Sequence, residues 1–175
     1  MKTSFCSIAE PVIGFIFSNF SGLATLVAAF IAARIARKFQ QANLDLSHER
    51  MEKDLFKEFN ERYDKLNDHL SQLSSDLDVG ALKEEYHHVL KSSLIDYFNL
   101  CAEQYYWYSK GRISEAIWTS WHAGMMTYYN TYPVVRELWK LETDGGKYKS
   151  YYLTKDCGFF EGKPCNVQYV KKKTM

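Results

Sequence analysis

The chain has 175 residues, with 22 basic and 21 acidic side chains and a formal charge of +1. So balanced a charge supplies no broad positive field to hold nucleic acid, and no nucleic-acid partner is expected. Glycine and proline are scarce between the first helix and residue 110, which argues against a sandwich with a turn about every ten residues and for long helices.

Residues 1–11 form a short head. Pro11 suits a first helical turn, where its missing N–H leaves nothing unpaired. The run Val12–Ala33 then reads V-I-G-F-I-F-S-N-F-S-G-L-A-T-L-V-A-A-F-I-A-A, without one charged residue. About 20 apolar residues cross a bilayer as a helix, and in lipid the backbone must satisfy its own hydrogen bonds. A transmembrane helix over residues 12–36 is therefore expected. A cleaved signal peptide would want a stronger basic start and a shorter apolar core; a helix buried in a soluble core is the other alternative. Arg34, Arg37 and Lys38 follow the run and only Lys2 precedes it, so the positive-inside bias places the N-terminus outside and the remainder in the cytoplasm. The expected location is the inner (cytoplasmic) membrane, crossed once. The same three cations can reach anionic headgroups.

Small residues recur every four positions in this run, Gly14, Ser18 and Gly22 on one stripe and Thr25, Ala29 and Ala33 on another. Such stripes let two backbones approach, and Asn19 can hydrogen-bond across them. Self-association into a homo-oligomer is one reading. Small residues are also common in any such helix.

From Phe39 no glycine or proline occurs before Gly80, so the helix is expected to continue. Residues 37–54 make a polar stalk. Leu55, Phe59, Tyr63, Leu66, Leu70, Leu73 and Leu77 then step by four and three, the seam of an amphipathic helix or a short coiled coil. Later apolar helices favour packing of this seam within the chain. Ser74–Gly80 reads as a turn. A further helix is expected over about Ala81–Ser109, stopped by Lys110-Gly111-Arg112, another from Ile113 or Ser114 to about Asn130, and a short one from Pro133 to about Leu141. Residues 55–146 thus form a cytoplasmic helical domain. Residues 147–175 are expected to be irregular, with Tyr148–Tyr152 packed back as a short helix or strand. The fold class is all-α: one transmembrane helix continuing into a small helical bundle or hairpin, with an irregular tail.

No strong catalytic signature is present. Glu84-x-x-His87 and Glu85-x-x-His88 resemble half of a di-iron bundle site, but one helix alone offers the pattern; a charged helix face is the plainer reading. Cys157 and Cys165 lack a C-x-x-C or a nearby histidine, so no zinc set is expected. Cys101, Glu103 and His122 would make a catalytic group only if their helices brought them together. Nucleotide-binding glycine loops and G-x-S-x-G are absent from the sequence, and no cofactor is expected. The densest feature is aromatic: Tyr105, Tyr106, Trp107, Trp118, Trp121, Tyr128 and Tyr129. Tyrosine and tryptophan at this density suit a helical core, or else a surface for a protein partner or lipid. Lys171–Lys173 read as a solvated tail.

The phrases L-F-K-E-F-N-E-R-Y-D-K-L-N (Leu55–Asn67), Y-F-N-L-C-A-E-Q-Y-Y-W-Y-S-K-G-R-I (Tyr97–Ile113), W-T-S-W-H-A-G-M-M-T-Y-Y (Trp118–Tyr129) and V-R-E-L-W (Val135–Trp139) carry a resemblance. Across roughly residues 12–142 the chain is similar to a group of uncharacterised bacterial proteins with one N-terminal transmembrane helix and a small helical cytoplasmic domain. The resemblance implies that architecture and, for some members, an association with mobile elements or phage defence. It implies no catalytic residues. The expected function is that of a membrane-anchored interaction protein working through protein or lipid contacts. The alternatives are an oligomerising membrane effector of toxin or phage-defence type and, third, a small enzyme on the cytoplasmic face.

Overall fold

A computed structural model describes residues 6–84, 87–154 and 158–160, with side chains from residue 22 onward. The chain forms helices α1 (Cys6–Leu70), α2 (His88–Ser109), α3 (Glu115–Thr131) and α4 (Pro133–Thr143), with a 3-10 turn at Ala81–Lys83 before α2 and another at Asp144–Tyr151 after α4. The all-α expectation holds. Two units divide the chain, residues 1–48 and residues 49–175.

In the first unit, α1 meets no breaker once past Gly22, and it is helical throughout. Its described side chains are exposed, apart from a half-buried Asp45. Leu23, Leu26, Val27, Phe30 and Ile31 are each at least 51 % exposed. Among the described residues no helix is long and apolar enough to cross a membrane. The side chains of the first half of Val12–Ala33, Gly14, Ser18 and Asn19 included, lie outside the described residues.

In the second unit, α1 lays its seam on the later helices, as the stepped spacing predicts. Phe59 and Leu70 are each 1 % exposed, and Leu55, Tyr63 and Leu66 are half-buried against the core. The helix stops at Leu70, short of the expected Leu77. Serine and aspartate side chains compete for the backbone here: Ser71 Oγ donates to Asp68 O at 2.8 Å, Asp76 N–H to Ser74 Oγ at 3.3 Å, and Ala81 N–H to Asp78 Oδ1 at 2.8 Å. Leu73 is nevertheless buried, 8 % exposed, from an irregular stretch.

The helix expected from Ala81 is split in two. A single 3-10 turn precedes a bend at Glu84, and α2 begins at His88. It ends as expected. Gly111 takes φ 65°, its N–H donates to Tyr108 O at 2.8 Å, and Arg112 N–H donates to Trp107 O at 3.0 Å. These two bonds are the Schellman pair that closes a helix at glycine. Helix α3 opens at Ser114, whose N–H donates to the Glu52 carboxylate of α1 at 2.5 Å. A carboxylate suits the unpaired donors of a helix N-terminus. Pro133 stands in the first turn of α4, and the left-handed pair Gly145 and Gly146 (φ 61° and 90°) turns the chain after it.

The core centres on Phe98, which is 0 % exposed. Its ring lies 5.1 Å from Trp139 and 6.0 Å from Phe160. Phe160 in turn stacks on Tyr129 at 5.0 Å. Part of the segment expected to be irregular is therefore core: Tyr151, Leu153, Phe159 and Phe160 are all buried. Tyr151 belongs to the 3-10 turn that packs back, as expected for Tyr148–Tyr152; Phe159 and Phe160 were not anticipated.

Arg62 of α1 and Glu103 of α2 form a two-bond pair, at 2.6 Å and 3.0 Å. Both side chains are about one-third exposed, at 34 % and 33 %. The bond to Glu103 raises the Arg62 pKa, with burial opposing it. Two-pronged geometry puts this pair at the upper end for half-exposed ions. A double-mutant cycle with Arg62→Met and Glu103→Gln is expected to give a coupling of about 1 kcal/mol, reduced in high salt. A coupling of zero at low salt would show that solvent already screens the pair.

Candidate functional site

A cleft of about 240 Å³ opens among α1, α2 and α3. Helical spacing builds each wall. On α3, Trp121, Gly124 and Tyr128 stand at i, i+3 and i+7, so one face carries two rings with a gap between them. Gly124 makes the gap: a Cβ there would meet nothing within 4 Å. On α2, Tyr97, Leu100 and Gln104 repeat the same interval, and Met125 of α3 joins Leu100 at the apolar floor. Asn60 and Tyr63 of α1 close the third side, and Ser120 stands at the mouth.

The walls are braced from behind. Phe56 stacks on Trp121 at 5.8 Å, and Phe59 meets its edge at 5.6 Å. The Tyr63 and Tyr128 hydroxyls share a hydrogen bond of 3.0 Å. Tyr97 lies 5.4 Å from the Tyr128 ring. No charged residue lines the space. Gln104 is only 5 % exposed, a costly place for a carboxamide unless something bonds to it.

Burial holds several protons tightly. It pushes the Tyr97 phenol far up, and the neighbouring Cys101 thiol adds to the effect. Burial likewise raises Cys101 and, with the bond from Tyr63, Tyr128. Tyr151 is pushed up to about 12 by burial and by Glu142 beside it. Each group keeps its proton in the folded state at a pH where the unfolded chain releases it. Stability is thus complete below about pH 8, where the unfolded thiol and phenols still hold their protons, and falls as the pH rises past their ordinary values. Urea midpoints are expected to drop between pH 7 and about pH 10.5. An unchanged midpoint would contradict this burial.

Each residue that might have formed a catalytic group is engaged elsewhere in the fold. Cys101 is shut inside the core, 0 % exposed. Glu103 is held by Arg62. His122 donates from Nε2 to the Phe159 carbonyl at 2.6 Å and stacks on Trp118. Burial withdraws the thiol, and ion pairing and hydrogen bonding occupy the other two groups, which leaves none of them free to activate a nucleophile. Among the described residues no cluster of His, Cys, Asp and Glu is placed to hold a metal ion. Glu84 and His87 precede α2 and do not share a helix face; Glu85 lies outside the described residues, as do Cys157, Cys165 and Lys171–Lys173.

The aromatic band splits in two. Tyr105 and Trp118 are buried, 5 % and 9 % exposed, so they serve the core. Tyr106, Trp107, Trp121, Tyr128 and Tyr129 are half-buried, with part of each ring toward solvent. Only Trp121 and Tyr128 reach the cleft. In the first unit Gly22, Thr25, Ala29, Ala33, Arg34, Arg37 and Lys38 are exposed, and Arg34 sits 5.0 Å over the Phe30 ring.

No family model, no curated protein and no solved structure matches the chain.

Sequence reading missed Asn60, Gln104, Ser120 and Gly124 as cleft residues. The one available signal was Gly124, a glycine inside an otherwise strong helical pattern. A mid-helix glycine is about 1 kcal/mol worse than alanine, and this one is needed neither for a positive φ nor for close backbone approach.

Proposed function

We propose that the protein is a single-pass inner-membrane protein whose helical domain works through contacts with a protein or lipid partner rather than through catalysis. The observation that carries this reading is the uncharged run Val12–Ala33, closed on one side by Arg34, Arg37 and Lys38. Its described half supports the reading by exposing Leu23, Leu26, Val27, Phe30 and Ile31 in one continuous belt. Large apolar side chains bared in this number mark a surface that another apolar phase covers. The cation collar sits where the positive-inside bias wants it, with the helical domain on the cytoplasmic side.

Membrane fractionation tests the reading. The protein is expected in the membrane pellet, resistant to alkaline carbonate and released by detergent. Recovery in the soluble pool without detergent would end the proposal.

A further inference from the structure

The cleft supports an inference that does not depend on the anchor. Three properties define what fits it. First, its side walls are aromatic. Trp121 and Tyr128 flank the Gly124 gap on α3, with Tyr97 across from them. Aromatic side walls favour a flat, unsaturated ligand, because stacking rewards planarity over bulk. Second, carboxamides supply the polar recognition. Asn60 and Gln104 reach the cleft from different helices. Both line the cleft, and among the described residues no side-chain polar atom shut off from solvent lacks a partner. A carboxamide offers one acceptor and one donor side by side. That pattern matches the N6 and N7 edge of adenine, whereas guanine's O6 and N7 call for arginine or lysine. Third, the lining carries no charge of either sign. A phosphate drawn into this space would be desolvated without compensation.

We propose that the cleft binds a neutral amino-heterocycle of the adenine type, as free base or nucleoside and not as nucleotide. Asn60 and Gln104 read the donor–acceptor edge, Trp121 and Tyr128 hold the ring faces, and Gly124 leaves the ring its room. Tyr63 and Tyr128, bonded to each other, keep the mouth in shape.

Isothermal titration of the full chain in detergent micelles with adenine, adenosine and adenosine monophosphate tests this. Saturable binding of adenine and adenosine is expected, with the monophosphate at least about tenfold weaker. Gly124→Phe fills the gap from a position where an added Cβ meets nothing. It is expected to abolish adenosine binding while leaving the thermal transition in place. Gln104→Leu keeps the volume and removes the edge, and is expected to weaken adenosine about tenfold or more. It also decides the matter if Gly124→Phe fails to fold. Absence of saturable heat with either neutral ligand would overturn the proposal. So would equal or tighter binding of the monophosphate, or undiminished binding in a folded Gly124→Phe or Gln104→Leu protein.

Discussion

Phe160→Ala is expected to destabilise the helical unit by about 4 kcal/mol, and a chain ending at Gly146 is expected not to fold cooperatively. Phe160 is 1 % exposed. Its ring meets Phe98, Tyr129, Trp139 and Phe159 within 6.0 Å. Truncating it removes the transfer energy of a large ring and leaves a void bounded by other rigid rings, which cannot collapse to fill it. Ending the chain at Gly146 removes Phe160 together with Tyr151, Leu153 and Phe159, all buried. Such losses reach roughly 10 kcal/mol, comparable to the whole stability of a domain. Urea unfolding followed by tryptophan fluorescence checks both, since Trp139 lies 5.0 Å from Phe159 and Phe160. A shortened chain with an unchanged, cooperative midpoint would mean that helices α1 to α4 suffice on their own.

Leu23→Asp combined with Val27→Asp is expected to move the protein from membrane to soluble fractions. Leu23 stands near the middle of Val12–Ala33, and Val27 one helical turn away. A carboxylate near the centre of a spanning helix opposes insertion by about 3 kcal/mol, so the pair opposes it by about 6 kcal/mol. The folded unit starts at residue 49, beyond both substitutions. Its thermal transition is therefore expected to persist, which separates loss of anchoring from loss of fold. If the doubly substituted protein stays in the carbonate-resistant pellet, the run is not what holds it there. A companion change, Arg34→Glu with Arg37→Glu, tests the collar. It is expected to weaken the orientation bias, read by protease access to the helical unit from the cytoplasmic side.

Local chemistry in the sequence determined the helices that have clear punctuation. Pro133 set the start of α4, and Lys110-Gly111-Arg112 set the end of α2; each acts through backbone groups within one turn. The stepped seam of α1 was legible for the same reason, because 3.6-residue periodicity needs no knowledge of the partner. The exact end of α1 was not, since Ser71, Ser74, Asp76 and Asp78 unwind the chain inside an apolar pattern that looks helical. Tertiary structure alone decided the rest. Phe159 and Phe160 follow a glycine-rich, weakly patterned stretch, and only the hollow beside Phe98 and Trp139 makes them core. The pairing of Glu103 with Arg62, which takes that carboxylate away from Cys101 and His122, joins residues far apart in the chain. The cleft is the clearest case. Asn60, Gln104 and Gly124 are unremarkable on their own helices and become a lined space only when three helix faces are set against one another, which no spacing within a single helix encodes.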